Sequence, residues 1–104
     1  MDAPIASRRL LYISPAGEHR DITLSIGIPH LHPDGDWACP VALDGFFADI
    51  NEIRGIDSWQ ALTAAIAFLA QLLQGLIAKR GGSLRYFCDK NEEVDLSRLF
   101  VGGA

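Results

Sequence analysis

A chain of 104 residues is long enough for one domain with one core, and a hydrophobic fraction of 49% excludes general disorder. Its 13 acidic and 9 basic residues give a formal charge of −4, and the basic residues are scattered rather than gathered in a stripe. That distribution argues against nucleic acid and anionic membrane as partners.

Residues 1–7 read as a loose end. Residues 8–14 form the first predicted strand, closed by a Ser-Pro-Ala-Gly turn at 14–17. Residues 19–28 give the clearest strand, with Ile22, Leu24, Ile26 and Ile28 alternating against polar positions. The two runs are expected to pair as an antiparallel hairpin. The stretch PHLHPDGD at 29–36 reads as a loop. Residues 37–43 form a third strand, with Trp37, Cys39, Val41 and Leu43 on one face and Ala38, Pro40 and Ala42 on the other. Pro40 has no N–H to donate, so this strand is expected to be an edge or to be bulged there. Asp44-Gly45 turns the chain into a weaker fourth strand over 46–54.

The strongest signal is a helix over 57–80, with no charged side chain from Ser58 to Ala78. Asp57 or Ser58 suits the N-cap, and with Asp57 there Gln60 three positions on completes a capping-box spacing. Lys79 and Arg80 fall in the last turn, where cations suit the negative pole, and Gly81-Gly82 follow as the stop. Gly75 opposes the helix by about 1 kcal/mol relative to alanine. Leu62, Ala65, Ile66, Leu69, Leu72, Leu73 and Leu76 form the stripe expected to meet the core. The other side carries Gln60, Ala64, Ala67, Gln71, Gln74, Gly75 and Ala78, with amides and small residues where lysine and glutamate are usual. This side is expected to be a self-association interface, making the protein a homo-oligomer, most simply a dimer. The alternative cover for it is the segment 94–100 of the same chain. The charge-free run is also about long enough to cross a bilayer. Its three glutamines and the amphipathic strands around it favour a soluble, mostly buried helix.

Residues 83–88 read as a fifth strand and 89–93 as a charged turn. Residues 94–101 read as a short helix or an irregular cover for the core, and 102–104 as a frayed end. Strands grouped before one long helix predict an α+β fold: a mostly antiparallel meander of four to five strands, with the helix packed across one face.

The run W-x-C-P at Trp37–Pro40, Gly45, and then I-x-G-x-D-S-x-Q-A-L from Ile53 to Leu62 resembles a family of small uncharacterised bacterial domains. The resemblance covers roughly residues 20–80 and implies no assigned activity or catalytic residues. Its motif has a structural meaning: Gly55 permits a turn, Asp57 and Gln60 cap the helix, and Ala61-Leu62 begin the core face.

Few residues suggest chemistry. His30, His32, Asp34, Asp36 and Cys39 lie within ten positions, and His-x-His sets two nitrogen ligands on one side of an extended segment. They are candidate metal ligands, although the spacing matches no strong zinc pattern and a polar loop explains them as well. Asp34-Gly35-Asp36 lacks the downstream ligands of a calcium loop. Asp34, Asp36, Asp49 and Glu52 offer carboxylates with nothing to place them in one cleft. No nucleophile elbow or phosphate-cradling loop is present, and no cofactor is implied. Trp37 and Trp59 read as core or interface anchors, with Trp59 beside the leucine stripe near Phe68 or Trp37. Cys39 and Cys88 are too few for a secreted disulfide framework, and MDAPIASRR has no apolar signal core, so a cytoplasmic location is expected.

The leading expectation is a non-enzymatic protein-interaction module. One form of it is an immunity-type inhibitor presenting the acidic stretch 34–57 to a basic protein partner. The alternatives are a metal-binding protein or metal-dependent enzyme using His30, His32, Asp34 and Asp36, and a small-ligand binder between helix and sheet.

Overall fold

Strands β1 (Ala6–Ile13) and β2 (His19–Ile26) form the expected hairpin, and β3 (His30–Leu31), β4 (Trp37–Asp44) and β5 (Asn51–Gly55) follow. Helix α1 (Ser58–Arg80) comes next, then β6 (Ser83–Tyr86). This computed structural model describes residues 3–86 together with Glu93, Val94 and Leu99. Cys88, most of the 89–93 turn and the rest of the 94–101 segment lie outside the described residues.

All the strand pairs are antiparallel. Across the sheet the order is β5, β4, β2, β1, β6, with β3 beside β4 as the continuation of β2. The first four lines form a meander. The helix then carries the chain back across one face, so that β6 pairs with β1.

Between the Ile26–Val41 and His30–Ala38 pairs, the β2–β3 side has one residue more than β4. That is a β-bulge, and Pro40 lies opposite it. The Gly27 N–H donates to the Pro40 carbonyl at 2.8 Å. The proline therefore sits in an interior strand, where the bulge spares it a donor that it lacks. The same bulge corrects the reading of 29–36 as all loop, because the sheet resumes at His30 for two residues.

Other boundaries also shift. β1 begins two residues earlier than the hydrophobic pattern indicates, and the Ile5 N–H already bonds Ile26 O at 2.8 Å. The fourth predicted strand shrinks to Asn51–Gly55, because residues 46–50 are taken up by the turn after Leu43.

One face of the sheet carries Leu10, Tyr12, Ile22, Leu24, Cys39, Val41, Leu43 and Leu84, and these pack with α1 into the core. The helix row that meets them is Ala61, Ala65, Leu69 and Leu73, a strict four-residue step. Leu62, Ile66, Leu72 and Leu76 of the expected stripe flank this row and stay half-buried. The two alanines are what let α1 come close to β5. A Cβ on Gly55 would run into the backbone of Ala61, so glycine is required at that crossing.

The caps form nearly as read. Asp57 Oδ1 accepts the Gln60 N–H at 2.7 Å. Gln60 Oε1 reaches one residue further back than the usual box and accepts the Ile56 N–H at 2.7 Å. Gly81, at φ 69°, ends the helix, and its N–H bonds Ile77 O. Tyr12 Oη donates to Gly81 O at 2.8 Å and ties this end to β1. Tyr12 also meets Phe46 edge to face at 5.1 Å, and the guanidinium groups of Arg20 and Arg80 lie over the Phe46 ring.

Candidate interaction surface

The outer side of α1 is a continuous surface without charge. Gln60, Ala67, Gln71, Gln74, Gly75 and Ala78 are exposed, and Ala64 is half-buried. Among the described residues nothing lies within 4 Å of where a Cβ on Gly75 would project, and Phe47 lines a cavity with Gln71, Leu72 and Gly75. Val94 and Leu99 lie on the sheet side of α1. Val94 bonds Leu84 O, and Leu99 lies in the cleft between Ile66, Leu69 and the β1–β2 hairpin. Neither of these two residues covers the Ala67–Gln71 side.

Trp59 is 76% exposed, which corrects the expectation of a core role. Its position explains this: it precedes Ala61, the first member of the buried row, and lies off that row's line. Trp37 is half-buried and packs at the margin of the core.

Exposed large apolar side chains gather at one end of the sheet. Ile5 at the start of β1, Ile28 beyond β2, Leu31 on β3, Ile56 after β5 and Trp59 in the first turn of α1 are all exposed. Phe47 and Ile50 are exposed in the β4–β5 connection at the opposite end. By length and composition α1 also passes as a membrane-crossing helix, but its Ala61–Leu73 row is buried against the sheet.

The histidine loop lies on the sheet face away from α1. His30 Nε2 is 3.5 Å from Glu52 Oε1, His32 Nδ1 is 3.5 Å from Asp34 Oδ1, and Arg54 Nη1 donates to Asp34 Oδ2 at 2.9 Å. Asp34 Oδ1 also accepts the Asp36 N–H at 3.0 Å. That backbone bond, aided by Arg54, holds the Asp34 carboxyl below its ordinary pKa despite some desolvation. Cys39 faces the other way into the core, so it is separated from the loop it adjoins in sequence. Its S–H points to Gly27 O at 3.5 Å, and burial raises its thiol pKa. Among the described residues no three His, Cys, Asp or Glu side chains converge as a metal site. Asp49 belongs to the β4–β5 connection, at the far end of the sheet from Asp34 and Asp36, so the four carboxylates do not share a cleft.

A cleft of about 260 Å³ opens between helix and sheet, lined by Ala6, Arg8, Leu24, Ile26, Ile66 and Leu99 among others. It is mostly apolar, and Arg8, whose guanidinium lies over the Tyr86 ring, stands at its wall.

An antiparallel sheet crossed by one long helix, with an uncharged outer helix side and an apolar end, defines a small α+β domain that is rich in surface for contact. Residues 6–97 match the domain of unknown function DUF6968, and the chain belongs to that family. No curated protein and no solved structure is detectably similar to it.

Proposed function

We propose that the protein is a non-enzymatic interaction module whose contact surface is the outer side of α1 together with the apolar end around Ile56 and Trp59. The observation that carries this reading is the exposed, uncharged helix side with an indole at its start. Large exposed apolar surface marks interaction sites, and tryptophan is among the side chains that most often dominate binding energy. Helix sides that face only water usually carry charges, and this one has none over twenty-one positions, Ser58 to Ala78.

An immunity-type inhibitor is one form of this reading. The acidic stretch suits it less than the helix does, because Asp34 and Glu52 already face Arg54 and His30 within the chain. The cleft supports a second reading, a small-ligand binder, but at about 260 Å³ it falls below the roughly 300–1,000 Å³ of ordinary ligand sites.

The test compares Trp59→Ala and Ala67→Glu with a control on the other sheet face, His19→Ala. Light scattering reports self-association, and mass spectrometry of the natively expressed, purified protein reports a bound second chain. Association that survives in the control and is lost in both helix variants supports the module. Association unchanged by either helix variant, or a wild-type monomer that holds nothing, overturns it.

A further inference from the structure

The two edges of the sheet differ. The outer side of β6 is engaged by Glu93, which bridges Arg85, and by the Val94 N–H on Leu84 O. Among the described residues nothing pairs with the outer side of β5. Edge strands are ordinarily blunted by brevity, charge, proline or a bulge. β5 has neither proline nor bulge, and its two charges, Glu52 and Arg54, are of opposite sign, so they complement a second copy rather than repel it.

The register shows which backbone groups are open. Pro40 O accepts from Gly27, so the backbone of Pro40 faces β2, and Pro40–Glu52 is a non-hydrogen-bonded pair. Ala38 likewise pairs with His30 on β3, and two residues on His32 N–H bonds Asp36 O in the same phase. The partners of Pro40 and Ala38 on β5 are Glu52 and Arg54. These two residues therefore aim their N–H and C=O groups away from the sheet, while Ile53 bonds inward to Cys39.

From this edge, and resting on the interaction-module reading, we infer that the partner is a second copy of the chain, paired antiparallel along β5 about a two-fold axis at Ile53. With the axis there, Glu52 lies opposite the partner's Arg54, and Arg54 lies opposite the partner's Glu52. Both are outward-facing pairs, so each exchanges two backbone hydrogen bonds, four in all. Both also set opposite charges across the new strand boundary, on the face away from α1. Moving the axis to Glu52 or to Arg54 places like charges opposite each other and shortens the pairing. The strand is thus complementary to itself in one register, which a closed two-fold dimer requires. The intrachain contacts of Glu52 and Arg54, with His30 and Asp34, lie on the same face and join the network.

Five strand residues span about 17 Å, too little for the ~800 Å² per partner of a stable interface. The adjoining surface supplies the remainder. α1 packs chiefly over β5 and β4, so Ile56, Trp59 and the N-terminal half of its outer side stand beside the open edge.

Charge reversal tests the register. Glu52→Lys and Arg54→Glu each place like charges in both cross-strand pairs, and each weakens self-association about tenfold or more. An equimolar mixture of the two variants pairs opposite charges again and restores a heterodimer, read by sedimentation and light scattering on dilution. Mixing repairs no contact within either chain, so a purely structural role for these residues predicts no rescue. Glu52→Pro removes one outward N–H and no bond within the sheet. It stays folded by circular dichroism and is monomeric. A wild-type monomer at high micromolar concentration, single variants as dimeric as wild type, a mixture without rescue, or a dimeric Glu52→Pro protein overturns the pairing. A dimer split by Ala67→Glu but indifferent to both β5 reversals overturns edge pairing and leaves the helix surface standing.

Discussion

The two sides of α1 both carry small residues, and they differ in what those residues meet. Toward the sheet, Ala61 is small where Gly55 comes close to its backbone, and Ala65, Leu69 and Leu73 continue the buried row. Away from the sheet, Ala67, Gly75 and Ala78 are small and exposed, and no described residue lies within 4 Å of a Cβ on Gly75. Small side chains on the inner side are explained by packing that is present. On the outer side they await a neighbour, and this is why the outer side carries the functional proposal.

Substitutions on α1 and the strand beneath it separate the two sides. Leu69→Ala, at the centre of the buried row, is expected to cost about 2–5 kcal/mol in urea unfolding. A loss under 1 kcal/mol would mean that the inner row is not the core. Gly55→Ala is expected to cost about 1–3 kcal/mol, because the added methyl meets Ala61 backbone rather than a movable side chain. Gly75→Ala should do the reverse and gain about 1 kcal/mol, since the new methyl meets open space and the helix penalty of glycine is removed. With the β5 edge as the centre of association, it should leave dimer strength unchanged. Weaker dimers from this variant would shift the contact toward the C-terminal half of α1.

The smallest effect is expected on the other face of the sheet. The folded Asp34 carboxyl sits below its ordinary pKa, so its contribution is present above the unfolded carboxylate pKa and is lost as pH falls through the folded value. Asp34→Asn keeps an acceptor for the Asp36 N–H and removes the charge facing Arg54. The gap in melting temperature between wild type and this variant should be small at neutral pH and close in acid. A gap that widens in acid contradicts the assignment.

Much of this fold is legible in the residues. D-S-W-Q and K-R-G-G mark both ends of α1, with Asp57 rather than Ser58 as the cap. Alternation in β4 and in β2 as far as Ile26 assigns the face that meets α1, whereas Ile28 falls beyond the strand and is exposed. Family membership agrees with the resemblance carried by Trp37–Pro40 and Ile53–Leu62. The misses have physical causes. β3 is hidden because a bulge breaks the alternation and turn-forming residues flank a strand of two. Trp59 is misplaced because hydrophobicity says bury, and its angle on the helix says otherwise. Ala61 is legible as the start of the core face, and the close crossing at Gly55 gives the reason it is small. Of the candidate surface, the uncharged helix side is visible in sequence. The open edge of β5 is not, because which strands end up outermost depends on β6 returning to β1.

That return has a consequence during synthesis. β1 holds Leu10, Leu11 and Tyr12 and is made before the other five described strands, yet its second neighbour, β6, is the last of them to be made. Until β6 arrives, β1 presents an unpaired edge beside an apolar core row, the circumstance in which nascent chains stick to one another. The Tyr12–Gly81 hydrogen bond, across 69 positions, can form only near the end of that interval, once the whole of α1 has been made. A chaperone that holds nascent chains should therefore engage β1 for as long as translation of α1 lasts, and slowing translation through the helix should lower the soluble yield.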